Sequence, residues 1–171
     1  MYRRTLVSAL LCVLVTLWTV SPAHAQCSNN NSNCQIILSG TGLTGNTAPP
    51  KCQPWGFWLW SQPANNAYGN DGDGSIYFYN IAPAEAHVDV GNVSLSLNSL
   101  GQSVVTESAS ATFPNGTTLS CTLIQAHQIR PGKGILDQMA CKLVTPAPSS
   151  TTFNCTASGI PITMDISNAT K

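Results

Sequence analysis

From Trp55 onward, apolar and polar positions alternate in short runs rich in β-branched residues. Turn residues break these runs about every eight to twelve positions. Strict alternation places one side of each run against a core and the other in water. The rhythm predicts an all-β fold: a single antiparallel β-sandwich, Ig-like or jelly-roll-like, stapled by disulfides. No convincing amphipathic helix interrupts it. "KGILDQMACKL" comes nearest and is short.

Two hairpins follow from the phase of the alternation. In "AEAHVDVGNVSLSLN" the apolar positions are even before Gly91 and odd after Asn92. A two-residue Gly91-Asn92 turn explains the flip and pairs Val90 with Val93, Val88 with Leu95 and Ala86 with Leu97. A bulge within one continuous strand is the rival explanation. In "VVTESASATFPNGTTLSCTLIQ" a three-residue Pro114-Asn115-Gly116 loop separates a dry face from a wet one, with Gly116 left-handed. Glu107 then falls on the dry face near Leu123, where it needs a partner or a place at the sheet's end. Further on, Ile160, Ile162, Met164 and Ile166 share one face.

"PWGFWLWSQP" breaks the pattern. Phe57 and Leu59 point one way and Trp58 and Trp60 the other, so both faces are apolar. The leading reading is a strand covered on both sides, by a second sheet within and a loop or arm outside. The other reading is an exposed binding surface of Trp58, Trp60, Tyr77 and Tyr79. The run "IYFYN" is expected beside it, joined through the Asn/Gly/Asp-rich loop, with aromatics stacking across strands.

The start of the chain changes the setting. Arg3 and Arg4, an apolar run from Leu6 to Val20, and Ala23-His24-Ala25 read as a signal peptide over residues 1–25. Removing 25 of the 171 residues leaves 146, enough for one domain. A polar arm, 26–54, is expected to be tied down by disulfides, with only Gln35 to Leu38 strand-like, before a sandwich domain at 55–171. Without Arg3 and Arg4, five basic residues face seven acidic ones, a net charge near −2. That balance offers no basic stripe for nucleic acid or an anionic membrane. No second apolar stretch reaches membrane length. The expected location is secreted or periplasmic, and the expected partner an extracytoplasmic protein or glycan.

Six cysteines remain beyond the signal: Cys27, Cys34, Cys52, Cys121, Cys141 and Cys155. In an exported chain an even count reads as disulfides, and no C-x-x-C spacing suggests zinc or a redox pair. Three cysteines lie in the arm and three on inward faces. If all pair internally, one or three bonds must link arm to domain.

Candidate chemistry is sparse. Glu85, His87 and Asp89 share a strand face, a reach suited to acid–base work or to a solvated surface. Asp71-Gly72-Asp73-Gly74 resembles a calcium loop in which Asp71 and Asp73 are candidate ligands. Its register departs from that pattern: Gly69 takes the first ligand position and Asn80 replaces the bidentate glutamate. No G-x-S-x-G, H-E-x-x-H, phosphate loop or dinucleotide fingerprint occurs. His127 is expected in a loop between strands.

The stretch "GFWLWSQ … NDGDGSIYFYN … TTLSCTL", residues 55–123, resembles small exported bacterial β proteins of uncharacterised function. The resemblance implies an exported β domain and carries over no catalytic residue. The expectation is a secreted, non-catalytic β protein with a binding or structural role. The alternatives are a carbohydrate- or surface-binding module using the aromatics, and a hydrolase centred on His87.

Overall fold

The computed structural model describes residues 27, 34–41, 54–63 and 71–168. Residues 1–25 and Cys52 lie outside the described residues. Nine strands follow one another: β1 (Cys34–Thr41), β2 (Gly56–Gln62), β3 (Asp71–Phe78), β4 (Ala82–Leu97), β5 (Ser103–Thr112), β6 (Thr118–Arg130), β7 (Lys133–Val144), β8 (Thr152–Ala157) and β9 (Ile160–Asn168). "KGILDQMACKL" is the strand β7, not a helix.

The expected sandwich is incorrect. Eight strands close into one antiparallel barrel, in the order β1 to β7 and then β9, and β8 is an extra strand on β7. Closure runs through β9, which pairs with β7 at Leu136↔Ile160 and with β1 at Ile36↔Ile166. Along β7, β8 and β9 keep one unbroken offset, from Val144↔Thr152 to Gly134↔Ile162. They form a single line broken at Ser158-Gly159, where Gly159 has φ 70°. The line then swings from β7 onto β1. Alternation reports that one face is buried, but not what buries it. A sandwich and a barrel therefore read alike along each strand.

The strand-like piece of the expected arm is β1, seated between β2 and β9. Ile36 and Leu38 are fully buried. Closing the ring needs this stave, so it serves as barrel wall rather than outer cover.

The Gly91-Asn92 hairpin is also corrected. β4 runs straight through, and the phase flip is a bulge. Gly91 faces Ser108 while Ser94 faces Thr106, so β4 holds one more residue than β5 there. Asn92 takes φ 52°, which asparagine tolerates, and its Nδ2 donates to Ser108 Oγ at 2.9 Å. Val90 and Val93 thus both point inward without facing each other.

The second hairpin forms as expected. The Phe113 N–H donates to the Thr117 carbonyl and the Gly116 N–H to the Phe113 carbonyl, both at 2.8 Å, with Gly116 at φ 82°. Ala111 faces Leu119 and Ala109 faces Cys121. Beyond Cys121 the register shifts, so Glu107 faces Ile124 instead of Leu123.

The lumen is filled by apolar side chains such as Leu38, Leu59, Ile76, Val88, Leu136 and Met164. Phe78 and Phe113 meet edge to face at 6.2 Å. Cys121 and Cys141 face each other on β6 and β7 and are joined. Cys155, opposite Cys141, is disulfide-bonded too.

Candidate functional site

β2 resolves the aromatic run by parity. Phe57 and Leu59 enter the lumen, 5% and 1% exposed. Trp58 and Trp60 point outward. Trp58 is 44% exposed, while Trp60 is half-buried. Burial as the leading explanation is therefore overturned for Trp58. Trp58 and Trp60 lie on the outer side of the barrel wall, away from the filled lumen, where burial increases along β2 from Trp58 to Gln62, which is 6% exposed.

The expected neighbour is in place: β3 pairs with β2. Trp58 stands between Ser39 of β1 and Ser75 of β3, and Trp60 between Ile37 and Asp73. Tyr77 lies opposite Gly56 on one side and Glu85 on the other. Tyr77 and Tyr79 share the outer side, with ring centroids 6.5 Å apart.

Trp55 completes the group. Strict alternation assigns it to the Phe57 side, but β2 begins only at Gly56, and the chain turns there. The Trp55 N–H donates to the Tyr77 carbonyl at 2.7 Å. Its ring lies 5.5 Å from Tyr79, tilted by 34°, and 6.5 Å from Tyr77, nearly perpendicular. Trp55 and Tyr79 remain 42% and 61% exposed. Such edge and tilted contacts hold the rings rigid while leaving faces open.

A polar flank borders the aromatics. Asp73 faces Asp89 and Ser75 faces His87 across β3 and β4. Glu85, His87 and Asp89 all point outward and are exposed. Their neighbours are Tyr77, Ser75 and Asp73 rather than Ser94, Ser96 and Asn98. The Asp71-Gly72-Asp73-Gly74 segment is strand, not loop. Asp71 and Asp73 face solvent at alternate positions. Gly72 and Gly74 have a packing reason instead: a Cβ on Gly72 would lie 2.6 Å from the Trp60 carbonyl oxygen, and one on Gly74 would collide with that of Trp58. Among the described residues, no group of three or more His, Cys, Asp or Glu side chains could hold a metal ion.

Two other titratable features lie elsewhere. His127 is on β6, not in a loop, and its Nδ1 is 2.7 Å from Asp137 Oδ1. Glu107 is buried in the lumen, where its Oε2 accepts a 2.8 Å hydrogen bond from Ser61 Oγ of β2. Burial raises its carboxyl from 4.5 to about 7, and the Ser61 bond opposes the rise. Glu107 thus finds the partner its misfit position demands, although Oε1 has none among the described residues.

Around the rest of the barrel the outer face is largely polar, with Thr106, Ser110, Ser120, Thr122 and Asp165 among its outward residues. This polar-out, apolar-in order is the reverse of a lipid-facing barrel. Comparison with family models, curated proteins and solved structures finds no match for this chain.

Proposed function

We propose that this is an exported, non-catalytic binding protein that takes up a carbohydrate on the outer aromatic face of β2 and β3. The carrying observation is Trp58, 44% exposed on the outside of a filled barrel and flanked by Ser39 and Ser75. Open indole and phenol faces stack on the C–H faces of sugar rings. Serine hydroxyls and the carboxylates of Asp73 and Asp89 suit sugar hydroxyl groups. The filled lumen leaves the outer surface as the place for a ligand. The Cys121–Cys141 bond and the bonded Cys155 support an oxidising location outside the cytoplasm.

Titration of the intact protein with soluble polysaccharides, followed by tryptophan fluorescence, tests the proposal. At least one sugar class should quench, and Trp58→Ala should weaken binding by more than about tenfold, as expected for a stacked aromatic anchor. No response to any sugar, or equal binding by Trp58→Ala, overturns it.

A further inference from the structure

We infer that Glu107, Ser61 and the bulged stretch of wall beside them form a proton-operated clasp, closed on a neutral carboxyl and opened when that carboxyl ionises, which holds the aromatic strand β2 in place. β2 and β5 are not neighbours, because β3 and β4 lie between them in the wall. The 2.8 Å bond from Ser61 Oγ to Glu107 Oε2 joins them across the lumen, and both residues are buried.

The contacts suit one protonation state. An ionised carboxylate has two oxygens to satisfy and no proton of its own. Ser61 reaches Oε2, while Oε1 is buried with no partner among the described residues. A neutral carboxyl carries its proton on Oε1 and still accepts from Ser61. The ionised group leaves a charged oxygen bare among apolar side chains, which costs far more. In the wall, Val93 of the β4 bulge and Ile124 of β6 flank Glu107 and bring no charge. The other buried polar residues described, Gln62 and Thr117, do not titrate. Asp73, His87, Asp89, His127, Asp137 and Asp165, on the surrounding strands, stand on the outer side.

The wall is interrupted at the same point. β4 holds an extra residue opposite β5 between Gly91 and Ser94, and β6 holds one between Cys121 and Ile124. Ser108, next to Glu107, therefore sits between two bulges, where ladder pairing is broken. Outside this stretch lies a groove of about 450 Å³, lined by Asp89, Asn92, Ser108, Ser110, Ser120 and Thr122 among others. Burial outweighs the Ser61 bond in setting the raised pKa of Glu107, so the ionised group gains more from water than from Ser61. Ionisation thus draws the carboxylate toward water at the bulged wall and releases Ser61. Ser61 adjoins Trp60, so the outer face of β2 shifts with it. The consequence for sugar affinity rests on the proposed carbohydrate site, but the clasp is tested without sugar.

Nuclear magnetic resonance of the intact, isotope-labelled protein, titrated from about pH 5 to about pH 9, reads the clasp. The Glu107 carboxyl should titrate near 7, and the backbone amide signals of Ser61 and Trp60 should shift with the same midpoint. Glu107→Gln keeps an oxygen for Ser61 but cannot ionise, and should abolish the amide transition. Ser61→Ala should leave Glu107 titrating while uncoupling Trp60, and decides the matter if Glu107→Gln does not fold. His87→Gln should retain the transition. Three results overturn the inference: Glu107 titrating in the ordinary carboxylate range, a Trp60 transition that persists in Glu107→Gln, or one unchanged in Ser61→Ala, which would be a field effect of the charge alone. The expected amide transition without a sugar response at any pH would support the clasp and overturn only the carbohydrate site.

Discussion

The two ends of this barrel expose apolar surface in different ways. At one end Trp55, Tyr77 and Tyr79 brace one another through ring contacts 5.5–6.5 Å apart, beside Trp58 on the wall. At the other, Leu97, Leu100 and Ile129 stand on separate turns near Arg130 and Lys133. The first is rigid, broad and bordered by carboxylates and hydroxyls. The second is a set of separate turn residues bordered by Arg130, Lys133 and Asp165. Exposed hydrophobicity alone does not name a partner; ring geometry and the neighbouring polar groups distinguish the two patches.

The largest expected effect separates the ends by their glycines. Gly74→Ala places a methyl group against the Trp58 carbonyl, so β2 and β3 must move apart. Overpacking against backbone should cost about 3 kcal/mol or more. Thermal unfolding should show the loss, and sugar binding should fall with it. If Gly74→Ala melts like the parent, the close approach that sets the aromatic face is wrong.

Glu107 links β5 to β2 across the lumen through Ser61. Burial raises its pKa from 4.5 to about 7, so the folded barrel holds this proton more tightly than the unfolded chain. The stabilisation is fully present below pH 4.5 and is lost as pH rises through about 7. The difference corresponds to about 3 kcal/mol. Urea unfolding across that range should show stability falling as pH rises, and Glu107→Gln should remove most of the slope. A slope unchanged in Glu107→Gln would assign the dependence to other groups.

Much of the local structure is legible in the chain. The Pro-Asn-Gly hairpin, the β2–β3 pairing and the final Ile160 to Ile166 alternation follow from period-two patterning and turn chemistry. Glu107 stands out as a polar residue on a dry face. The closure does not show, because Cys34–Thr41 meets β9 across more than a hundred residues, and no local signal reports that pairing. The β4 bulge is ambiguous because a hairpin and a one-residue insertion produce the same phase flip at Gly91-Asn92. The outer aromatic face misleads because two apolar faces suggest two covers. Trp58 nevertheless stands exposed on the outer side, and Trp55 escapes parity because Gly56 precedes the strand's regular run.

A smaller effect tests the end that carries the β4–β5 turn. Gly101 has φ 74° but nothing within 4 Å of a Cβ built on it. Gly101→Ala therefore meets no clash and carries only the left-handed backbone cost, about 1 kcal/mol. Its melting temperature should drop only slightly. A loss as large as that of Gly74→Ala would mean that the turn is packed against something and is not an open tip.

The smallest stability effect should come from the residue with the largest expected effect on binding. Trp58 is nearly half exposed, and its neighbours Ser39 and Ser75 are small, so its ring contributes little to the core. Trp58→Ala should change unfolding free energy by about 1 kcal/mol or less, well below the cost of truncating a buried aromatic. Phe57→Ala, one step away on the lumen side, should cost about 3–5 kcal/mol. Paired denaturant titrations of the two variants measure the contrast directly. Comparable losses would mean that the outer face of β2 is packed as tightly as the inner one, and the aromatic end would then be structure rather than site.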